Sequence, residues 1–265
     1  MCIRDRVYIA TPPYAHKDYT IRAAAAGKPV YVEKPMALDH DACRAMIDAC
    51  TLAGVPLYVA YYRRALPKFL AIKDLIDGGA IGDPRSVIVT HHRPDPPDLD
   101  PENLPWRYQP AISGGGIFVD MGSHMLDLLD FLLGPISTVE GSAGNQAGRY
   151  LAEDTVSAAF TFESGVQGVG NWCYCSAADV DRTEIHGSAG SVVFDTFAGG
   201  RFALTTPDGS ETFDRPFPPH VQQPLIQTVV DALRGAGTCP SSGESAARTT
   251  WAIDQVLAGY RAARS

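Results

Sequence analysis

PVYVEKPMALDHDACRAMIDACTLAGVPLYVA, residues 29–60, sets two short apolar runs on either side of one helical segment. Pro29–Glu33 reads as a buried strand. Asp39 stands as an N-cap ahead of a periodic stretch that runs to Ala53, where Gly54 stops it, and Pro56–Ala60 reads as the next strand. Upstream, Val7–Ala10 is a further strand, followed by the turn Thr11-Pro12-Pro13 and an alanine-rich helix His16–Ala26. Gly27 closes that helix, with Pro29 just beyond. Strand, helix, strand, helix, strand with short links is the pattern of a parallel sheet in a doubly wound α/β domain.

Downstream the pattern changes. Residues 67–78 predict one more amphipathic helix, and Arg85–His92 alternates with period two. A proline-rich loop, 94–110, follows. After Gly134 the runs Ser137–Ala143, Thr155–Phe162, Val166–Tyr174, Asp181–His186, Ser191–Phe194 and Arg201–Thr205 are divided by turn residues, which predicts a large, mostly antiparallel sheet. Val166, Gly168, Gly170, Trp172 and Tyr174 alternate onto one side of their strand. That aromatic face is expected to be free and to carry a homo-oligomer; the alternative is that the central helix covers it. Two helices, Val221–Leu233 and Glu244–Ala262, end the chain.

Residues 113–134, SGGGIFVDMGSHMLDLLDFLLG, predict a single buried helix entered from a glycine turn and ended by Gly134-Pro135. Asp120, His124 and Asp127, at i, i+4 and i+7, share one face of it. Ionisable groups on a buried helix are costly unless paired or used. One reading is a carboxylate favoured near a helix N-terminus and a satisfied core histidine. The other is a ligand site approached closely through the glycines.

A hydrophobic content of 45% and a charged content of 20% are those of a globular protein, and no apolar run reaches transmembrane length. A net charge of −8 with a single local basic pair, Arg63-Arg64, argues against nucleic acid as a partner. Six cysteines without C-x-x-C or a disulfide spacing predict reduced thiols and a cytoplasmic protein. Residues 1–6, MCIRDR, fit no element and are read as non-native.

Glu33-Lys34-Pro35 stands at the exit of a strand, where open α/β sheets bind ligands. In order along the chain come Thr11-Pro12-Pro13 with His16, Glu33-Lys34-Pro35, Arg63-Arg64, Ile81-Gly82, Trp106-Arg107, and Gly114-Gly115-Gly116 with Asp120 and His124. This series resembles the glucose–fructose oxidoreductase / inositol dehydrogenase (Gfo/Idh/MocA) family of NAD(P)-dependent dehydrogenases. The resemblance implies that 1–62 is the C-terminal part of a Rossmann-like NAD(P)-binding domain. It implies that 63–265 is an α+β substrate and oligomerisation domain, with the final helix packing back on the first. It further implies Lys34, Asp120 and His124 as catalytic residues acting on a secondary hydroxyl of a sugar, polyol or inositol. Thr11, Pro12, His16, Glu33 and Lys34 would meet the NAD or NADP cofactor, and Arg63, Trp106, Arg107, Asp120 and His124 the substrate. The chemistry is coherent. Oxidising an alcohol requires removing its proton while hydride leaves the same carbon; an imidazole suits the first task, and a lysine cation stabilises the developing alkoxide.

The family's opening G-x-G-x-x-G turn is not found, so a missing segment on the order of 60 residues, weak cofactor binding and an inactive fragment are expected. Redox-assisted glycoside cleavage and a non-catalytic carbohydrate-binding or scaffold role stay open beside simple dehydrogenation. A metal-dependent hydrolase or isomerase using His91, His92 and Asp95, with Asp98 nearby, is a further alternative. It requires adjacent strand residues to face one ion, against the alternation of a strand.

Overall fold

The computed structural model describes residues 5–264. Most of the reading of 1–6 as non-native therefore falls outside the described residues. Strands β1 (Val7–Ile9), β2 (Val30–Val32) and β3 (Leu57–Val59) form a parallel sheet in that order, joined by α1 (His16–Ala25) and α2 (His40–Leu52). All three residues of β2 are buried, as a strand covered on both faces requires. The Asp39 carboxylate accepts the Ala42 amide at 2.7 Å and starts α2.

A short 3₁₀ turn, Tyr62–Ala65, leads to α3 (Pro67–Asp77) and the second sheet. That sheet holds β4 (Pro84–His92), β5 (Ile136–Gly144), β6 (Thr155–Phe162), β7 (Gln167–Cys173), β8 (Val180–Gly187), β9 (Ser191–Phe194), β10 (Arg201–Thr206) and β11 (Gly209–Asp214). The order is β11-β10-β9-β8-β4-β7-β6-β5, and every neighbouring pair is antiparallel except β4 and β7. Strand β11, a polar hairpin partner of β10, has too weak an alternation to be read from sequence. The remaining helices are α4 (Pro110–Ser113), α5 (Ser123–Leu133), α6 (Gln223–Leu233) and α7 (Gly243–Ala262). Helix α7 joins the two cores: Ala246 and Ala247 pack with the parallel sheet, and Ile253, Val256 and Leu257 with the large one. Ser242 and Ser245 close a capping box at its start.

The segment 113–134 is helical from Ile117 to Leu133 after its glycine turn, as expected, but it is not α-helix throughout. Helix α4 ends at Gly114, whose φ of +87° suits a residue without a side chain, and α5 begins only at Ser123. Between them Phe118–Gly122 forms a π turn that carries Asp120. The glycine entry is tied to the rest of the fold: the buried Glu153 carboxylate accepts the Gly116 amide at 2.7 Å. A methyl group at Gly116 would collide with the Glu153 backbone oxygen.

The β7 face expected to be free is the covered one. Val166, Trp172 and Tyr174 are buried, and the Trp172 indole N–H donates to Met125 Sδ on α5 at 3.3 Å. Phe118 meets the same indole edge-on at 5.0 Å. Gly168 and Gly170 lie on this inner face because the Phe160 and Trp172 rings occupy the space that side chains would need. The outward residues are Gln167, Val169 and, on β4, Ile88.

Candidate active site

The site forms where β2 and β3 leave the parallel sheet and face the π turn. Glu33 and Lys34 follow β2 in turn, and the Lys34–Pro35 peptide is cis. The Glu33 carboxylate accepts the Tyr8 hydroxyl at 2.5 Å, the Gln222 amide at 2.9 Å and the Lys34 backbone N–H at 3.2 Å. It therefore ties the strand exit to β1 and to the entry of α6. Lys34 Nζ donates to Asp120 Oδ1 at 2.5 Å and to the Asp120 carbonyl at 3.0 Å. Burial holds the Lys34 ammonium below the usual lysine range; the Asp120 charge opposes that and Arg63 adds to it. Asp120 Oδ2 faces Arg107 Nε at 3.3 Å, and the Arg107 guanidinium lies over the Trp106 ring at 4.3 Å.

His124 opens the first turn of α5 and is buried among ring edges: Tyr62 at 5.4 Å, Tyr61 at 5.9 Å and Phe197 at 6.0 Å between centroids. No hydrogen bond reaches its Nδ1. Burial, with the positive charges of Arg63 and Lys34, holds its pKa well below the histidine range. At neutral pH the ring is an uncharged base.

Arg63, from the turn after β3, is buried with its guanidinium between the Tyr62 ring at 4.8 Å and the Phe197 ring at 4.5 Å. Its Nε donates to the Thr196 carbonyl at 3.0 Å, and Nη1 has no partner. Cation–π contacts contribute roughly 0.5–2 kcal/mol each, less than the several kcal/mol that removing an ion from water costs. Its neighbour Arg64 points elsewhere, into a buried network with Asp127 at 2.8 Å and Asp130 at 2.9 Å. The polar stripe of the central segment is thus divided: Asp120 faces Lys34, while Asp127 serves Arg64.

Thr11, Pro12, Glu33 and Lys34 lie at the carboxyl ends of β1 and β2. His16 is fully buried, with Nε2 2.7 Å from the Thr11 carbonyl and Nδ1 3.1 and 3.2 Å from those of Pro35 and Met36. Both nitrogens face backbone carbonyls, so His16 sits between the Thr11-Pro12 turn and the Glu-Lys-Pro loop and bridges them through the nitrogen that carries the proton. Thr11 Oγ1 is buried without a partner.

The alternative metal cluster does not assemble. His91 points inward, to the Tyr174 hydroxyl at 3.2 Å, and His92 outward, to Asn171 Oδ1 at 2.6 Å, as strand alternation dictates. Asp95 pairs with Arg149 at 2.5 Å, and Asp98 is exposed. Among the described residues, no group of three or more His, Cys, Asp or Glu side chains is arranged to hold a metal ion.

Sequence reading missed the walls of the site. Tyr61 and Tyr62 follow β3 directly and were within reach of a strand-end argument. Phe197 was not, since nothing in the turn after β9 distinguishes it. Its loop is pinned by Asp181, which accepts the Thr196 and Phe197 amides at 2.9 and 2.6 Å, and by the buried Lys68, bonded to Asp195 at 2.5 Å.

A family model for the oxidoreductase family, NAD-binding Rossmann fold, matches residues 4–61, and one for the GFO/IDH/MocA C-terminal domain matches 69–193. Oxidoreductase P35 of Formosa agariphila is 34% identical over 251 residues, which are 94% of this chain and 77% of that protein. A 1,5-anhydro-D-fructose reductase of Ensifer adhaerens is 30% identical over 98% of this chain and 77% of its own length. The crystal structure of aldose-aldose oxidoreductase from Caulobacter crescentus, complexed with glycerol, superposes with a TM-score of 0.84 at 28% identity, covering 98% of this chain and 77% of that one. Shared sequence along nearly the whole chain and a shared fold lead to one conclusion: the chain belongs to the GFO/IDH/MocA family of NAD(P)-dependent oxidoreductases.

Proposed function

We propose that this oxidoreductase oxidises a secondary hydroxyl of a sugar, polyol or inositol-like substrate, or reduces the matching ketone. The observation that carries the reading is the uncharged, buried His124 beside the Lys34–Asp120 ion pair. A neutral imidazole with an unpartnered nitrogen can take the hydroxyl proton. Lys34, held in place by Asp120, puts a cation against the oxygen as it becomes an alkoxide. The aromatic walls Tyr61, Tyr62 and Phe197 exclude water from that proton transfer. Trp106 and Arg107, hinged on Asp120, supply the outer rim.

NAD or NADP fits the residues present. Thr11, Pro12, Glu33 and Lys34 stand at the carboxyl ends of parallel strands, and the partnerless Thr11 Oγ1 is suited to a ligand hydrogen bond. When bound, the nicotinamide supplies the hydride acceptor. His16 takes part through the backbone it bridges. In this reading residues 1–62 carry the cofactor and 63–265 the substrate and self-association surfaces.

The test is reduced-cofactor formation by the purified protein with NAD and NADP across a panel of sugars, polyols and inositols. Turnover of at least one class is expected. No reduction of either cofactor by any of them, in the presence of folded protein, would sink the reading.

A further inference from the structure

We propose, resting on the dehydrogenase reading, that the substrate is an acidic sugar whose carboxylate is held by Arg63 in a pocket closed by Phe197. Four buried polar atoms without partners surround that one ring: Arg63 Nη1, His91 Nε2, His124 Nδ1 and Thr196 Oγ1. The Phe197 centroid lies 4.5 Å from the Arg63 guanidinium, 4.9 Å from the His91 ring and 6.0 Å from the His124 ring, and Thr196 precedes it in the chain. Buried polar groups are almost always hydrogen-bonded, so four exceptions around one side chain mark a place where a ligand supplies the bonds.

Charge narrows the class of ligand. Two cations, Arg63 and Lys34, act on His124; Asp120 serves Lys34 and Arg107 and leaves Arg63 without a carboxylate partner. Arg63 makes no ion pair among the described residues. The carboxylates that act on it are committed elsewhere: Asp181 to the two loop amides and Asp120 to Lys34 and Arg107. The Tyr62 and Phe197 rings cover the faces of the guanidinium, but its N–H bonds lie in its plane and are not satisfied by them. A neutral hydroxyl would accept a hydrogen bond and leave the buried charge uncompensated. A carboxylate does both, in the fork geometry arginine prefers. His91, kept neutral by burial with its pKa pushed down to about 4, and Thr196 then serve the hydroxyls beside it. Lys68, which also donates to the Ala198 and Gly199 carbonyls at 3.4 and 3.3 Å, holds the loop that carries Thr196 and Phe197.

Calorimetric titration of the whole chain, with and without NAD or NADP, compares D-glucuronate and D-galacturonate with D-glucose and D-galactose. The uronates are expected to bind about 30-fold more tightly, the range of a hydrogen bond to a charged group. R63M should abolish that ratio. R63K, which keeps charge and bulk but not the fork, should lower it about fivefold, and it carries the test if R63M does not fold. Equal binding of acid and neutral sugars, no measurable uronate binding, or a ratio unchanged in R63K overturns the proposal. Cofactor reduction measured alongside separates the two readings. Uronate binding without reduction removes the dehydrogenase and keeps the carboxylate site; reduction with neutral sugars alone does the reverse.

Discussion

Burial and two neighbouring cations act on His124 in the same direction, and the consequence is readable in a pH profile. A proton acceptor must be neutral, so oxidation fails only when the pH falls below the depressed pKa of the ring. The acid limb of kcat/KM for oxidation is therefore expected well below the usual histidine range. K34M removes one of the cations and should move that limb upward, in addition to slowing turnover. An acid limb at the ordinary histidine position, unmoved in K34M, contradicts the assignment. H124N keeps the shape of the ring but not its basicity and is expected to lower kcat by about 10²–10⁴-fold, with unchanged circular dichroism. Arg63 and Arg64 make the same point about single residues: adjacent and alike in sequence, one lines the site and the other belongs to a buried ion network.

The glycine entry to the central helical segment is held by Glu153, a residue of the β5–β6 loop, through the Gly116 amide. Burial pushes its carboxyl up to about 7, with the Gly116 amide and Arg261 opposing the shift. The folded-state pKa lies above the unfolded one, so the folded chain binds the extra proton. This contribution to stability is complete below the ordinary carboxylate pKa and is lost as the pH rises through 7. E153Q can still accept the Gly116 N–H through its amide oxygen and buries no charge. Thermal unfolding should place it above the parent protein at pH ~8 and level with it at pH ~5, the window set by that shift. A difference independent of pH would mean that the carboxyl is not titrating in place.

Across the whole molecule, the Arg64–Asp127–Asp130–Arg248 network joins the turn after β3 to α5 and α7. D127A leaves a buried guanidinium short of charge and should cost about 3–5 kcal/mol in denaturant unfolding. The R64M/D127L pair, which removes both charges, should cost much less, because desolvation of the ions disappears with them. If the double variant is no better than D127A, the network is not acting through charge. Self-association is expected on the outer side of the large sheet, where Ile88 and Val169 are exposed. Sedimentation should show an oligomer that I88E/V169E converts to monomer; a monomeric parent protein at micromolar concentration removes the proposal.

What could be read from the chain alone was what local physics governs. Apolar period, the Asp39 cap and the glycine stops located β1 to β3 and their helices within a residue or two, because each signal acts within one turn or strand. Strand-end placement drew attention to Lys34, and the spacing of the central segment to Asp120 and His124. The tertiary structure decided the rest. Lys34 and Asp120 are 86 residues apart, and only the meeting of two sheets puts them in contact. Glu153 reaches the Gly116 amide from 37 residues away. The alternation of β7 defined two faces, yet which of them is covered depended on where α5 packed. Phe197 became a wall of the site through its amide bond to Asp181 and the bonds of Lys68 to its loop neighbours, which no local pattern announces. Local propensity acts between neighbours, whereas the charge and burial that make a site come from whatever the fold brings alongside.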